Sequence, residues 1–227
     1  MSALLLLAQL VATILHIALV LALAPLLAGV VATWRARLLG RVGPPIWQPY
    51  ANLRRQLSKI ILVPETATAA YHIWPLLALS AFITVATLVP GFCTGMVTAG
   101  LSDFITVIGL LALARAAILM AALETGFGFS GAAAAREILF SLFAEATMLV
   151  IVLSFVQIAH SPSLDGISVA LRAQPLGISV SLGFALAATL AVALTETGRI
   201  PVDNPSGHLE LSMVHEALHL EYSGGLL

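Results

Sequence analysis

The sequence is poor in charge and in cysteine. Only 9% of its 227 residues are charged, whereas 60% are hydrophobic. A soluble domain carries about 25% charged residues, so most of the surface of this chain must face lipid or another subunit. The single cysteine, Cys93, excludes an internal disulfide and a thiolate metal site. A net charge of −1 argues against nucleic acid as a partner.

Long hydrophobic runs dominate the chain instead. A bilayer is crossed by about 20 apolar residues in a helix, and the segments that qualify are 4–32, 72–89, 101–123, 138–159 and 176–195. The first has no basic n-region before it and exceeds the apolar core of a signal peptide, which indicates a retained span. The sequence therefore predicts an all-α integral membrane protein with about five transmembrane helices, forming a single membrane domain over 1–227.

Basic residues are confined almost entirely to one side of these spans. The polar segments 34–70, 124–137 and 196–222 hold eight Lys or Arg, whereas the connections on the other side hold only Arg172. Cytoplasmic loops are enriched in Lys and Arg. We therefore expect the N-terminus outside and the three polar segments in the cytoplasm.

Two charged residues lie deep inside the predicted spans. Arg115 lies eight residues from the inner end of the third span, and Glu145 lies seven residues from the inner end of the fourth. At about 1.5 Å of rise per residue, both are roughly 10–12 Å deep, where adjacent helices can pair them. A charge at this depth costs about 3 kcal/mol on insertion scales, so a partner is expected. The spacing is compatible both with a proton relay and with a purely structural ion pair.

Further carboxylates mark the inner ends of the spans. Glu124 and Glu196 each precede Thr-Gly at the end of a span, where the helix dipole disfavours a negative charge. Glu137 stands eight residues before Glu145, within about 80° of it around a helix. The positions of Glu124, Glu137 and Glu145 predict a series of carboxylates that leads from the cytoplasmic edge into the membrane.

The segment "MVHEALHLEY" contains His215 and His219 in the pattern H-E-x-x-H. In zinc hydrolases this spacing places two imidazoles on one helix face beside a catalytic Glu. Such a site also requires a third protein ligand. Glu221 is too close in sequence to serve as this ligand. Asp203 precedes the motif, whereas intramembrane proteases usually have the third ligand after it. An intramembrane zinc protease is therefore one alternative function, and a passive membrane anchor is another.

Two polar segments contain amphipathic helices. In "GRVGPPIWQPYANLRRQLSK", residues 40–59, Pro49 stands at a helix start and apolar residues recur after it at helical spacing. Arg54 and Arg55 lie elsewhere on this helix, which is typical of a helix at the membrane interface. A second helix is predicted over 208–222.

These two segments, together with "LARAAILMAALETGFGFSGAAAAREILFSLFAEATM", residues 113–148, carry a family resemblance. The sequence resembles subunit 1 of respiratory complex I, the membrane subunit that abuts the quinone chamber. It is more similar to the homologous membrane subunit of energy-conserving nickel–iron hydrogenases and of formate hydrogenlyase. The family pattern R-x-G-P, Q-P and D-x-x-K/R matches at Arg41, Gly43, Pro44, Gln48, Pro49 and Arg55. Asn52 replaces the Asp of the family, so no charge is carried over to that position.

The second half of the resemblance follows the fifth span. The family pattern E-T-x-R-x-P-x-D matches at Glu196, Thr197, Arg199, Pro201 and Asp203. The acidic helix that follows it in the family matches at Glu210, Glu216, Glu221 and Tyr222. Members of the family continue through further spans after this helix, so the sequence is expected to lack C-terminal spans.

The resemblance implies a non-catalytic coupling subunit in a bacterial or archaeal cytoplasmic membrane. Its cytoplasmic loops would dock a hydrophilic iron–sulfur or hydrogenase-type arm through Arg41, Gly43, Pro44, Gln48, Pro49, Arg55 and Arg199. A proton or ion path toward antiporter-like membrane subunits would use Arg115, Glu124, Arg136, Glu137, Glu145, Glu196, Asp203, Glu210, Glu216 and Glu221. The chain itself is expected to bind no prosthetic group. Iron–sulfur and Ni–Fe centres would lie in partner subunits, and any quinone would occupy a chamber shared with a partner.

Overall fold

The structure, a computed structural model, describes residues 3–92, 94–173, 180–198, 214–219 and 222–226. The α-helices among these residues are α1 (Ala3–Leu38), α2 (Gln48–Leu57), α3 (Ile73–Leu88), α4 (Phe104–Glu124), α5 (Gly128–Ala159), α6 (Leu164–Ala173), α7 (Val180–Glu196) and α8 (Val214–His219). Short 3₁₀ helices cover Ala69–His72, Val97–Gly100 and Gly224–Leu226. The described part of the chain contains no β-strand, and the predicted all-α class is confirmed.

Four helical segments are long and apolar enough to cross a membrane. They are Leu6–Leu38, Ala69–Leu88, Phe104–Glu124 and Gly128–Ala159. Helix α7 is also apolar but has only 17 residues. The predicted fifth span began at 176, and its first residues, 176–179, lie outside the described residues. The helices agree with the predicted architecture of about five spans.

Helix α5 extends the predicted span 138–159 into the polar connection 124–137. It begins at Gly128, so residues 128–137 are helical. The physical reason is local, because this stretch contains four consecutive alanines, and alanine has the highest helix propensity of any residue. Hydropathy marks where a helix meets the membrane surface and not where the helix begins.

The chain divides into two compact units. The first consists of Met1–Val63, Gly91–Val97 and Tyr222–Leu227, and the second of Pro64–Pro90 and Thr98–Glu221. Each unit has its own packing contacts.

In the first unit, the segment before α2 lies directly against α1. Gly29 makes this possible, since an added Cβ would overlap the carbonyl oxygen of Ile46. The Thr33 hydroxyl lies 2.8 Å from the carbonyl oxygen of Gly29 and 2.9 Å from that of Pro44. The Tyr50 hydroxyl donates to the carbonyl oxygen of Ala22. Backbone groups of α1 and of the connecting segment are thus satisfied by neutral side chains.

In the second unit, small residues let the helices approach closely, as is usual in membrane proteins. The buried face of α4 includes Ala114, Ala117, Ala121 and Ala122, and this helix packs against α3 and α5. Two apolar clusters follow. One joins α4, α5 and α8 through Leu119, Ala122, Ala133, Ala134, Val214, Ala217 and Leu218. The other joins α5, α6 and α7 through Ala144, Ile151, Phe155, Ile167, Ala185 and Val192.

Candidate functional site

Three ionisable side chains from three helices of the second unit lie close together. Arg115 lies in α4, Glu145 lies near the middle of α5, and Glu196 ends α7. Arg115 Nη1 is 3.9 Å from Glu145 Oε1, and Arg115 Nη2 contacts Glu196 Oε2 directly. The side chain of Arg115 is 12% exposed, that of Glu196 27% and that of Glu145 42%. One cation is therefore shared by two carboxylates. We call these three residues the charge triad.

Two members of the triad, Arg115 and Glu196, border a cavity of about 410 Å³. Phe82 of α3, Leu111 and Ile118 of α4, and Leu218 of α8 contribute apolar walls. Arg115, Glu137, Glu196, Thr189, Thr197 and His219 also line it and supply polar groups. A space of this size holds several water molecules, and a water needs about 2–4 polar partners to be stable there. The cavity can therefore hold water beside two carboxylates and one guanidinium.

Glu137 is the most deeply buried carboxylate of the predicted series. Its residue is 8% exposed, and it lines the cavity from α5. Arg136, the residue before it, is half-buried. Glu137 therefore lines the same cavity as Arg115 and Glu196.

Glu124 is held by hydrogen bonds from the segment before α3. The backbone N–H of Thr68 donates to Glu124 Oε1 at 3.0 Å, and the Thr68 hydroxyl donates to the same oxygen. The Thr66 hydroxyl donates to the carbonyl oxygen of Thr125 at 2.7 Å. These bonds tie the end of α4 to the chain before α3. Glu124 thus fixes the C-terminal end of α4. It is not among the described residues that line the cavity.

The repeated Glu-Thr-Gly ends both α4 and α7. Gly126 has a φ of 67° and Gly198 a φ of 55°, the left-handed conformation that favours glycine just after a helix. The same local sequence therefore stops two helices in the same way and leaves a Glu as the last helical residue of each. Only one of them, Glu196, is brought to Arg115.

The predicted docking residues of the first unit lie around α2. Pro49 stands in the first turn of this helix, as its missing N–H requires. Gln48 Nε2 donates to Asn52 Oδ1 at 3.3 Å, and Arg55 Nη2 donates to the same oxygen. Asn52, which replaces the family's Asp, thus still accepts hydrogen bonds from two of the matched positions.

Gly43 and Pro44 support the backbone of the same region. An added Cβ on Gly43 would lie 3.0 Å from atoms of Thr33, and the carbonyl oxygen of Pro44 accepts from the Thr33 hydroxyl. Arg41 is exposed. The matched loop residues therefore combine structural positions with an exposed polar edge.

Several predicted residues lie outside the described part of the chain. These are Arg199, Asp203, Glu210 and Glu221, and the side chains of His215 and Glu216.

Helix α8 carries the H-E-x-x-H pattern and is packed on α4 and α5. Ala217 and Leu218 are buried in the shared cluster, and the Ser130 hydroxyl donates to the carbonyl oxygen of Ala217 at 3.1 Å. His219 lines the cavity together with Arg115. A guanidinium in the same cavity disfavours a bound dication. Among the described residues, no group of three His, Cys, Asp or Glu side chains is arranged to hold a metal ion.

The helices and the buried charges define a polytopic α-helical membrane protein with an ionisable cavity. The sequence profile of the family described as NADH dehydrogenase matches residues 10–227. The chain belongs to the NADH dehydrogenase subunit 1 family, which confirms the resemblance found in the sequence.

Two curated relatives come from Escherichia coli (strain K12). Formate hydrogenlyase subunit 4 is 32% identical over 203 residues, which cover 89% of this chain and 65% of that protein. Hydrogenase-4 component C is 32% identical over 204 residues, which cover 90% of this chain and 64% of that protein. The chain thus spans slightly less than two thirds of the length of each relative.

The fold is also found in a solved complex. A chain of the membrane-bound sulfane sulfur reductase (MBS), an archaeal respiratory membrane complex, matches with a TM-score of 0.80 and 22% sequence identity. The match covers 96% of this chain and 71% of that chain. The helical arrangement is therefore one that occurs in respiratory membrane complexes.

Proposed function

We propose that the chain is the membrane-anchoring and coupling subunit of a respiratory-type oxidoreductase complex, of the complex I or the hydrogenase and formate hydrogenlyase type. It docks a hydrophilic iron–sulfur arm at its cytoplasmic loops and links the redox chemistry of that arm to proton or ion translocation. Family membership and the two curated relatives support the kind of complex. The charge triad and its cavity support the coupling role.

The observation that carries the proposal is the half-exposed carboxylate of Glu145. It lies in an apolar span between Leu142 and Leu149, and both leucines are exposed on the same helix. A carboxylate turned toward lipid is strongly unfavourable. We infer that a neighbouring membrane subunit covers this part of α5 and offers Glu145 a hydrogen-bond donor or a water path.

The triad is arranged to exchange a proton at low electrostatic cost. With both carboxylates ionised, Glu145, Glu196 and Arg115 carry a net negative charge, and one added proton makes the group neutral. When Glu145 Oε1 holds the proton, the guanidinium of Arg115 stays paired with Glu196, with which it is already in contact. When Glu196 holds the proton, Arg115 can pair with Glu145 after a small movement, because Nη1 and Oε1 are only 3.9 Å apart. No bare charge is left in the span in either state.

In the proposed complex, this chain supplies the docking surface and the charged side chains, and its partners supply the electron carriers. In the proposed complex, iron–sulfur and, in the hydrogenase type, Ni–Fe centres belong to the hydrophilic subunits. A quinone, in the complex I type, occupies a chamber shared with a partner. The exposed polar edge of α2, with Asn52 and Arg55, is the proposed contact for the hydrophilic arm.

Membership in such a complex is tested by purifying the tagged chain from its own host in a mild detergent. We expect iron–sulfur subunits to copurify, with iron in the preparation and subunits identified by mass spectrometry. An iron-free chain that migrates alone in a native gel of freshly solubilised membranes would contradict the proposal.

The coupling role is tested with Glu145→Gln in membrane vesicles that contain the assembled complex. We expect electron transfer to continue while proton uptake per electron is lost. Glu65→Gln serves as the matched control, because Glu65 is an exposed carboxylate outside the spans. Equal proton uptake in both variants would leave the chain with the role of a passive anchor.

A further inference from the structure

The H-E-x-x-H segment places one titratable ring at the edge of the charged cavity. His219 is the last residue of α8 and lines the cavity with Glu137 and Glu196. Its residue is exposed, whereas Leu218 beside it is 4% exposed and lines the same cavity. His219 therefore lines the cavity and is also exposed.

The position of this ring is fixed by the residues before it. Val214, Ala217 and Leu218 are buried against α4 and α5. The carbonyl oxygen of Ala217 accepts the hydroxyl of Ser130, which is fully buried in α5. Helix α8 is thus anchored through its apolar side and through the hydrogen bond from Ser130. The side chain of His219 makes no part of the apolar cluster that anchors it.

We propose that His219 is the group that loads protons into the cavity from the cytoplasmic side. A proton from water binds the neutral imidazole, and the imidazolium then releases a proton to the carboxylate of Glu196 or Glu137, directly or through water in the cavity. The products are a neutral imidazole, ready for the next proton, and a carboxylic acid beside Arg115. This assignment rests on the proposed coupling function.

The surroundings of the ring suit this task. Histidine is the side chain that ordinarily changes charge between pH 5 and 8, so it can take up and release protons under cytoplasmic conditions. The charged groups that line the cavity with it are Arg115 from α4, Glu137 from α5 and Glu196 from α7, and the α3 residue in the lining, Phe82, does not titrate. On α8 itself, His215 and Glu216 are the other titratable residues.

The proposal is tested with His219→Gln in vesicles containing the assembled complex. We expect coupled turnover to slow by at least about tenfold, as for the loss of a positioned acid–base group, while the number of protons taken up per electron stays unchanged. Added imidazole should restore the rate, which a purely structural loss would not allow. His72→Gln is the matched control, because His72 is an exposed histidine at the start of α3.

The outcomes separate this assignment from the coupling role itself. Unchanged turnover in His219→Gln, with proton uptake lost in Glu145→Gln, would overturn the loading role and leave the coupling role intact. Slow turnover that imidazole fails to restore would also overturn it. Stoichiometric zinc in the purified complex that disappears in His219→Gln would reassign the ring as a metal ligand.

Discussion

The two units of the chain hold their apolar helices by different means. In the first unit, α1 and the segment before α2 are joined by neutral groups, among them the Thr33 and Tyr50 hydroxyls and the close approach at Gly29. In the second unit, a cation and two carboxylates join α4, α5 and the end of α7. Neutral contacts are sufficient to pack membrane helices. The charges of the second unit therefore exceed what packing requires.

The arginines of the two units differ in where they lie along their helices. The arginines of the first unit, such as Arg35 and Arg37, fall in the last turn of α1 or beyond it, where they reach the interface. Arg115 instead stands nine residues before the end of α4 at Glu124. A buried charge that packing does not require is a functional candidate by default.

The largest expected effect comes from removing the shared cation. Arg115→Gln leaves Glu145 and Glu196 without a counter-ion, and breaking a buried pair in this way costs about 3–5 kcal/mol. The loss of stability should fall toward the lower end of this range because Glu145 is 42% exposed. The measurement is the thermal unfolding midpoint of the solubilised complex, together with its amount in membranes.

A matched arginine from the first unit sharpens this test. Arg54→Gln, at an exposed position of α2, should change stability by no more than about 0.5 kcal/mol. The double variant Arg115→Gln with Glu196→Gln should regain part of the loss, because one of the two uncompensated charges is removed. If Arg115→Gln were as stable as Arg54→Gln, the triad would not be an energetic unit.

The next largest effect concerns the neutral packing of the first unit. Gly29→Ala should destabilise the chain by about 1–3 kcal/mol, because the new methyl group would overlap the carbonyl oxygen of Ile46. Gly109→Ala is the control, since no atom lies within 4 Å of a Cβ there, and alanine is the better helix former. Similar unfolding midpoints for the two variants would show that α1 and the segment before α2 are not in close contact.

The smallest effect concerns the anchoring of α8. Ser130→Ala removes the hydroxyl that donates to the carbonyl oxygen of Ala217, at a cost of about 1 kcal/mol. Amide hydrogen exchange in α8 should accelerate about fivefold for that cost. Ser154→Ala is the control, because the half-buried Ser154 of α5 donates to the carbonyl oxygen of Val150 in its own helix. Unchanged exchange in Ser130→Ala would indicate that α8 is held by apolar packing alone.

The sequence predicts features that depend on one residue and its neighbours. The depth of Arg115 and Glu145 follows from counting along each span, and the requirement for a partner follows from the cost of a buried charge. The helix start at Pro49 and the helix ends before Gly126 and Gly198 follow from backbone preferences. In the structure, Pro49 stands in the first turn of α2, Gly126 and Gly198 have positive φ after α4 and α7, and Glu145 lies 3.9 Å from Arg115.

Features that depend on packing between helices could not be predicted. The contact of Arg115 with Glu196 and the place of His219 at the cavity depend on how α7 and α8 rotate against α4, and a single sequence contains no information on that rotation. Helix α6 was not predicted, because its ten residues are too few for a hydropathy signal. Ile167 nevertheless anchors it in the core of the second unit.

The most direct test of the account is the ratio of protons taken up to electrons transferred in vesicles that contain the Glu196→Gln variant. Arg115 keeps Glu145 as a partner in this variant, so the complex should assemble and transfer electrons. We predict that the proton-to-electron ratio falls to nearly zero, while Glu65→Gln retains the full ratio. An unchanged ratio in an assembled Glu196→Gln complex would contradict the claim that the charge triad couples redox chemistry to proton movement.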